Sequence, residues 1–186
     1  MKKFILFFIL FSLSLLSTLS GVAQVEKEYW YSAPFKDFAF ESPSKIIRSE
    51  YSISEDALAR VPEGFISAQL YNSSGDISKD GMLIQLFILE HKFDTYDVKR
   101  GSKAMLSNLI ISMGGEILDH DFYEIDNNHN NIIMTSLARN KDLWIYNFVY
   151  CLATIDKVYF LYASGDFNDK KIFDRIDRLS ESIVIF

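Results

Sequence analysis

The chain has 186 residues and a net charge of −6, with 25 acidic against 19 basic side chains. An acidic chain without a basic cluster repels phosphate groups, so neither nucleic acid nor an anionic lipid surface is an expected partner. Hydrophobic residues make up 49% of the sequence, a share typical of a folded domain with a packed core. A single cysteine, Cys151, excludes an internal disulfide.

The N-terminal segment has the three parts of a secretion signal. Lys2 and Lys3 give a positive start, residues 4–16 form an apolar run broken by two serines, and residues 21–23 place small side chains before Gln24. We therefore predict a signal peptide over residues 1–23 and export to the periplasm or the exterior. A membrane span needs about 20 apolar residues, and no later segment reaches that length, so we expect no stable span after cleavage.

Residues 24–186 are expected to form one domain, because the sequence contains no linker, repeat or low-complexity segment. Strands are predicted where apolar and polar residues alternate between turn signals, or, as at residues 82–89, where a short apolar run is long enough for a buried strand. Phe38 and Phe40 mark the first strand, which ends before Pro43. The later predicted strands cover residues 47–53, 65–71, 82–89, 117–125, 132–138, 143–153, 158–163 and 183–186. Short turns join those between 117 and 163, which indicates an antiparallel meander.

The first long helix is predicted over residues 96–113, where apolar side chains recur at helical spacing. Asp94 or Thr95 is the expected N-cap, and the glycines at 114–115 end the helix because glycine tolerates the left-handed C-terminal position. Ser54 is the expected cap of a shorter, earlier helix.

A last helix is predicted over residues 169–182, with Asn168 as its N-cap. Phe173, Ile176 and Leu179 recur at helical spacing and mark the face expected to be buried. Strands, a helix, a meander and a second helix together predict an α+β fold, in which an antiparallel sheet is flanked by helices.

This order of elements resembles that of the Mog1/PsbP-like superfamily, which includes small exported bacterial proteins of unassigned role. The resemblance covers residues 38–186 and rests on the tail KVYFLYASGDFNDKKIFDRIDRLSESIVIF, where an aromatic strand, a short acidic loop, an F-x-x-I helix and a final strand follow each other. The matching positions are Phe173, Ile176, Ser182 and Ile183. Members of the superfamily mostly bind other proteins, so the resemblance implies a protein-binding role, but no functional motif carries over.

The best candidate for a metal site is the segment 116–129, because imidazoles and carboxylates are ligands for zinc or manganese. A calcium loop starting at Asp126 would need glycine at its sixth position and glutamate at its twelfth, where this chain has Asn131 and Leu137. We therefore predict a solvated hairpin and no metal. The candidate ligands are Asp119, His120, Asp121, Glu124, Asp126 and His129.

No catalytic residue is predicted. The sequence contains neither a Gly-x-Ser-x-Gly elbow nor a glycine-rich phosphate loop. Cys151 lies in an apolar run, far from the lipid-acceptor position of a lipoprotein, and is expected to be a small buried hydrophobe. His91 ends an apolar strand and is interpreted as a polar strand-end residue rather than a base.

Aromatic residues are the remaining functional signal, since the chain holds 16 Phe, 10 Tyr and 2 Trp. Tyr and Trp are enriched where proteins contact partners. The residues Tyr29, Trp30 and Tyr31 are the better candidates for partner contact, because they are not clearly part of an element. Three further candidates share one face of the predicted strand 143–153, together with Phe148, and that face is expected to pack under a helix: Trp144, Tyr146 and Tyr150.

These observations favour a non-enzymatic exported accessory domain that binds a protein partner and needs no cofactor. The alternative is a carrier that holds an apolar small molecule between helix and sheet. A metal-dependent or thiol enzyme is the least favoured class, because no constellation of ligands or of nucleophile and base is recognisable in the sequence.

Export makes a direct prediction for the mature chain. When the protein is isolated from its own host envelope, native mass spectrometry should give the mass of residues 24–186. The mass of the full chain would instead indicate an uncleaved anchor. An added discrete mass would identify a bound lipid, metal or partner.

Overall fold

The computed structural model describes residues 29–49, 64–75, 81–112, 115–117 and 130–186. Over these ranges the chain is an α+β fold dominated by strands, which confirms the predicted class. The signal segment, the short helix after Ser54 and the candidate metal ligands lie outside the described residues. The elements are β1 (Tyr31–Pro34), β2 (Phe38–Ser42), β3 (Ile46–Arg48), β4 (Phe65–Ser73), β5 (Leu83–His91), α1 (Val98–Ser112), β6 (Glu116–Ile117), β7 (Asn131–Asn140), β8 (Leu143–Ala153), β9 (Lys157–Asp166), α2 (Lys171–Glu181) and β10 (Val184–Ile185).

The described strands form two antiparallel sheets. The large sheet has the order β3-β4-β5-β9-β8-β7-β6, and the small sheet has the order β1-β2-β10. The hairpin β4–β5 and the meander β7–β8–β9 pair as their sequences predict. The strand predicted over 47–53 forms β3, which ends at Arg48, and residues 50–53 lie outside the described ranges.

The central strands of the large sheet are apolar on both faces. In β8, Phe148 and Tyr150 belong to one core cluster, whereas Val149 and Cys151 belong to the other. Successive side chains of a strand point to opposite faces, so each face of this sheet must be covered separately. The small sheet and α2 cover one face, and α1 covers the other.

Helix α1 packs on β7 and β8 through the stripe that its sequence predicts. Val98, Leu106 and Ile110 are buried among the residues of the second cluster. The predicted cap was wrong: Asp97 accepts the N–H of Arg100 at 2.9 Å, so the helix begins after Asp97 rather than after residue 94 or 95. No helix in the described ranges is both long enough and apolar enough to cross a membrane.

Helix α2 differs from its prediction in two ways. Asn168 does not cap it, because its side-chain amide donates to Asp166 Oδ1 at 3.1 Å instead. Phe173 is 36% exposed, and Ile172 takes its expected place in the core beside Ile176 and Leu179. The reason is the helical period: Ile172, Ile176 and Leu179 are spaced by four and three residues and share one face, from which Phe173 is turned away.

The small sheet is joined to the large sheet by a few specific contacts. The hydroxyl of Tyr159 in β9 donates to the Asp37 carboxylate in the β1–β2 turn. Phe38 contacts the ring of Tyr159 at a centroid distance of 5.2 Å. These contacts fix β1 and β2 over one face of the large sheet.

Because both faces of the central strands are buried, truncating an aliphatic side chain there should lower the free energy of unfolding far more than truncating one on the surface. Leu161 of β9 is fully buried, whereas Ile155 in the β8–β9 turn is 93% exposed. Leu161→Ala should lower the free energy of unfolding by about 2–5 kcal/mol, and Ile155→Ala should change it by less than about 0.5 kcal/mol. Urea titration measures both. Equal effects would contradict this description of the core.

Candidate functional site

A groove of about 440 Å³ opens where the two sheets diverge. Residues 31–35 of the β1 segment, residues 45–47 of the β3 segment and Tyr71 of β4 line it. The chain passes from β2 in the small sheet to β3 in the large sheet through the short connection that begins at Pro43. Because this connection is so short, the edge strands of both sheets border the same groove.

The ring of Phe35 is held in the groove by contacts with other aromatic rings. Its ring stacks on Phe38 and Phe40 at centroid distances of 5.6 and 6.0 Å, and it meets Tyr71 edge-on at 5.3 Å. Offset and edge-on ring pairs are favourable geometries that add to the burial of apolar area. The groove is therefore backed by a rigid aromatic cluster continuous with the core.

Tyr31 and Lys45 form the exposed part of the lining. Tyr31 is 39% exposed, and the ammonium of Lys45 lies 5.9 Å from the centroid of its ring, within the range of a cation–π contact. Among the described residues of the lining, Lys45 is the one that carries a charge. That part of the groove is therefore apolar with a positive charge at its exposed side.

The outer edge of β1 exposes backbone hydrogen-bonding groups. Phe35 donates its N–H to the Phe38 carbonyl at 2.9 Å, which makes these two residues a hydrogen-bonded pair of the hairpin. Since such pairs alternate along an antiparallel ladder, Ser32 and Pro34 direct their backbone groups away from β2. Glu41, opposite Ser32, likewise donates its N–H away from β1. No described strand pairs with this edge.

The outer edge of β3 exposes a second row of backbone hydrogen-bonding groups. The Lys45 carbonyl accepts the N–H of Ser74 at 2.7 Å, and Ser49 donates its N–H to β4 at 2.8 Å. By the same alternation, Ile46 and Arg48 direct their N–H and C=O groups away from β4. Strand β3 is an end strand of the large sheet among the described residues. Edges of this kind are the template for adding another strand.

The three N-terminal aromatic candidates differ in their surroundings. Tyr29 is 80% exposed, and Tyr31 belongs to β1 and to the groove. Trp30 packs against the core cluster, and the Arg178 guanidinium lies 4.3 Å from the centroid of its ring. Arg178 in turn pairs with Glu41 at 3.2 Å. Trp30 therefore anchors the start of β1 to α2, and Tyr31 is the member of the trio that reaches the groove.

The candidates on β8 do not line the groove. Tyr150 is buried beside Phe38, with the ring centroids 6.0 Å apart. Tyr146 is half-buried and contacts Phe173 of α2 at 4.9 Å, so the expectation that this face packs under a helix holds for Tyr146. Trp144 lies at the start of the strand and is 36% exposed. The six aromatic candidates are thus distributed over several environments.

Lys45 and Tyr71 are lining residues that the sequence interpretation missed. Lys45 stands alone shortly after Pro43, and Tyr71 lies within a predicted hairpin. Neither residue belongs to a sequence pattern that indicates a binding site. Pro43 was the available signal, because a proline that ends one strand just before another indicates a change of direction. Recognising the groove also required the knowledge that β2 and β3 belong to different sheets.

The side chain of Cys151 is fully buried on the α1 side of β8, as its apolar surroundings predict. Burial raises the pKa of the Cys151 thiol from 9.0 to about 12, although the Ser102 hydroxyl acts in the opposite direction. The thiol is therefore protonated at neutral pH, and the nucleophilic thiolate is suppressed.

His91 is enclosed by aromatic rings at the end of β5. Its Nδ1 accepts the N–H of Phe93 at 3.1 Å, and its Nε2 lies 3.2 Å from the Thr154 carbonyl oxygen. The rings of Phe65, Phe93 and Tyr96 lie 5.3 to 6.4 Å from the imidazole centroid. Both nitrogens are occupied by backbone groups, so the imidazole is a satisfied part of the core.

Within the parts of the chain that the structure describes, no group of three or more His, Cys, Asp or Glu residues could hold a metal ion. The six candidate ligands of the segment 116–129 lie outside those parts. The prediction of a solvated hairpin there stays a prediction.

No protein-family model and no curated protein matches this sequence. The described residues themselves therefore carry the functional inference. Among them, the groove combines exposed aromatic surface, a single cation and the unpaired edges of two strands.

The buried thiol predicts a loss of stability in alkali. Between pH 9 and 12 the unfolded chain releases the Cys151 proton while the folded chain retains it, so the free energy of unfolding falls as pH rises, by about 4 kcal/mol over the full interval. Below pH 9 this contribution is fully present. Burial also raises the pKa of Tyr96, Tyr159 and Tyr162, which adds to the loss above pH 10.

Urea titrations at pH 8, 9 and 10 separate the thiol from the tyrosines. The parent protein should lose about 1 kcal/mol between pH 9 and 10, whereas Cys151→Ala should start from a lower stability and lose less over the same interval. An identical pH dependence in the two proteins would show that the thiol does not contribute.

Proposed function

We propose that this protein is an exported, non-enzymatic accessory domain that binds a partner protein through the groove between β1 and β3. The observation that carries the proposal is the presence of two edge strands beside one aromatic groove. Tyr31 is the expected main contact, because amphipathic aromatic residues dominate the energy of protein interfaces. Export follows from the pattern of the first 23 residues.

The Mog1/PsbP-like assignment is part of this proposal. It is supported by the tail in which Phe173, Ile176, Ser182 and Ile183 match the family pattern, and it is compatible with an antiparallel α+β architecture. Because members of that superfamily mostly bind other proteins, the resemblance favours a protein-binding role. Fold resemblance alone does not assign function, so the groove is the stronger support.

A carrier of an apolar small molecule is the second candidate. A groove of about 440 Å³ falls within the range of small-molecule sites, about 300–1,000 Å³. The expected location between helix and sheet is less favourable, because Leu106, Ile110 and Met134 are almost completely buried there. Such a ligand would therefore bind in the groove, next to Phe35 and Tyr71.

Site-specific photo-crosslinking in the native host tests the proposal. A benzophenone amino acid at position 31 should give a discrete crosslinked protein, whereas the same probe at position 155 should not. Ile155 is the matched control because it is an exposed apolar residue in the turn between β8 and β9. Tyr31→Ala should weaken capture of that protein about tenfold, as expected for an aromatic contact worth about 1.4 kcal/mol.

Other outcomes would contradict the proposal. Crosslinks that are equally frequent from positions 31 and 155 would indicate unspecific contact, and none from either position would remove a protein partner. A lipid or other small adduct crosslinked at position 31, with no protein, would instead favour the carrier.

A further inference from the structure

We infer that the groove receives an extended, acidic segment of the partner protein, which adds to the large sheet as a strand along the outer edge of β3. This inference rests on the proposed partner binding and specifies its mode. In this mode, backbone hydrogen bonds supply affinity and the pockets for alternate side chains supply specificity.

The backbone of β3 has the polarity and direction that strand addition requires. Ile46 and Arg48 each direct an N–H and a C=O away from β4. The facing edge of β1 is a poorer template, because Pro34 has no N–H. The segment would therefore pair with β3 and contact β1 mainly through side chains.

The side chains around this edge define a pattern for the occupant. Residues of an added strand alternate between its two faces. Those facing the groove meet Tyr31, Phe35 and Tyr71 and should be apolar or β-branched. Those on the opposite face point to solvent and can be polar.

Charge distinguishes an acidic partner from a second copy of this chain. Lys45 and Arg48 are exposed at the two ends of β3 in a protein of net charge −6. Antiparallel pairing of two β3 strands would bring both pairs of cations into one short ladder, where like charges are destabilising. An extended segment with Asp or Glu flanking its apolar residues would instead complement both ends.

Selection from a random 12-residue peptide library displayed on phage tests the mode without knowledge of the natural partner. Panning on the mature full chain should enrich peptides with alternating apolar residues and flanking carboxylates. Synthetic versions should slow the amide hydrogen exchange of Ile46 and Arg48. Methylation of alternate backbone nitrogens, on the residues that pair with β3, should abolish binding, because it removes the inter-strand donors while the side chains remain.

Charge reversal provides the matched comparison. The double variant Lys45→Glu/Arg48→Glu should bind the selected peptides at least tenfold more weakly and should prefer versions in which Lys replaces the carboxylates. Arg100→Glu on α1, which covers the opposite face of the large sheet, should leave binding unchanged. Both cations are exposed, so the double variant should fold with parent-like stability, as urea titration will check.

The inference is overturned if panning enriches no peptides, if the enriched peptides are helical or basic, or if binding survives backbone methylation or charge reversal. Self-association that protects the β3 amides without peptide would also overturn it in favour of a second copy. Crosslinking from position 31 in the host distinguishes failure of the proposed function from failure of the proposed binding mode. A partner captured there while the peptide tests fail leaves partner binding intact and removes only strand addition, whereas failure of both removes the proposed function.

Discussion

The central strands β5, β9 and β8 are apolar on both faces, and the need to cover them places the small sheet and both described helices. Leu86 and Leu161 face the small sheet and α2, whereas Val149 and Cys151 face α1. Each fully buried aliphatic side chain stabilises the fold by about 1.5–3 kcal/mol relative to an exposed one. A helix on one side alone would leave half of these side chains in water, so two covering layers are required.

The second covering layer is what creates the groove. One chain segment supplies strands to both sheets, as β2 and then β3, and it changes sheet within a few residues after Pro43. The sheets cannot remain paired across this change, so their edge strands separate and leave backbone groups directed outwards. The aromatic residues that close the core on this side, Phe35 and Tyr71, then become the lining of the opening. The candidate site is therefore a consequence of how the core is covered.

Polar side chains hold the small sheet in place and distinguish structural aromatic residues from functional ones. The Tyr159 hydroxyl binds the Asp37 carboxylate, and Arg178 lies over Trp30. These contacts assign Trp30 to anchoring, although its sequence context favoured partner contact. Tyr31, its neighbour, points into the groove region with much of its ring exposed. Trp30 precedes β1 and Tyr31 is its first residue, so these neighbours differ in role through the contacts that each side chain makes.

The sequence by itself determined the features that depend on local periodicity. Short runs of alternating or continuously apolar residues between turn signals located β4, β5, β7, β8 and β9. Helical spacing located α1 and α2, and apolar neighbours predicted the burial of Cys151. The tertiary structure decided which elements are neighbours. That arrangement sets the exposure of Phe173 and the anchoring of Trp30. It also brings Tyr31, Lys45 and Tyr71 together around one groove. The physical reason is the distance along the chain over which each feature is set. A periodic pattern is set by nearby residues, whereas sheet order and the exposure of a side chain depend on residues far away in the sequence.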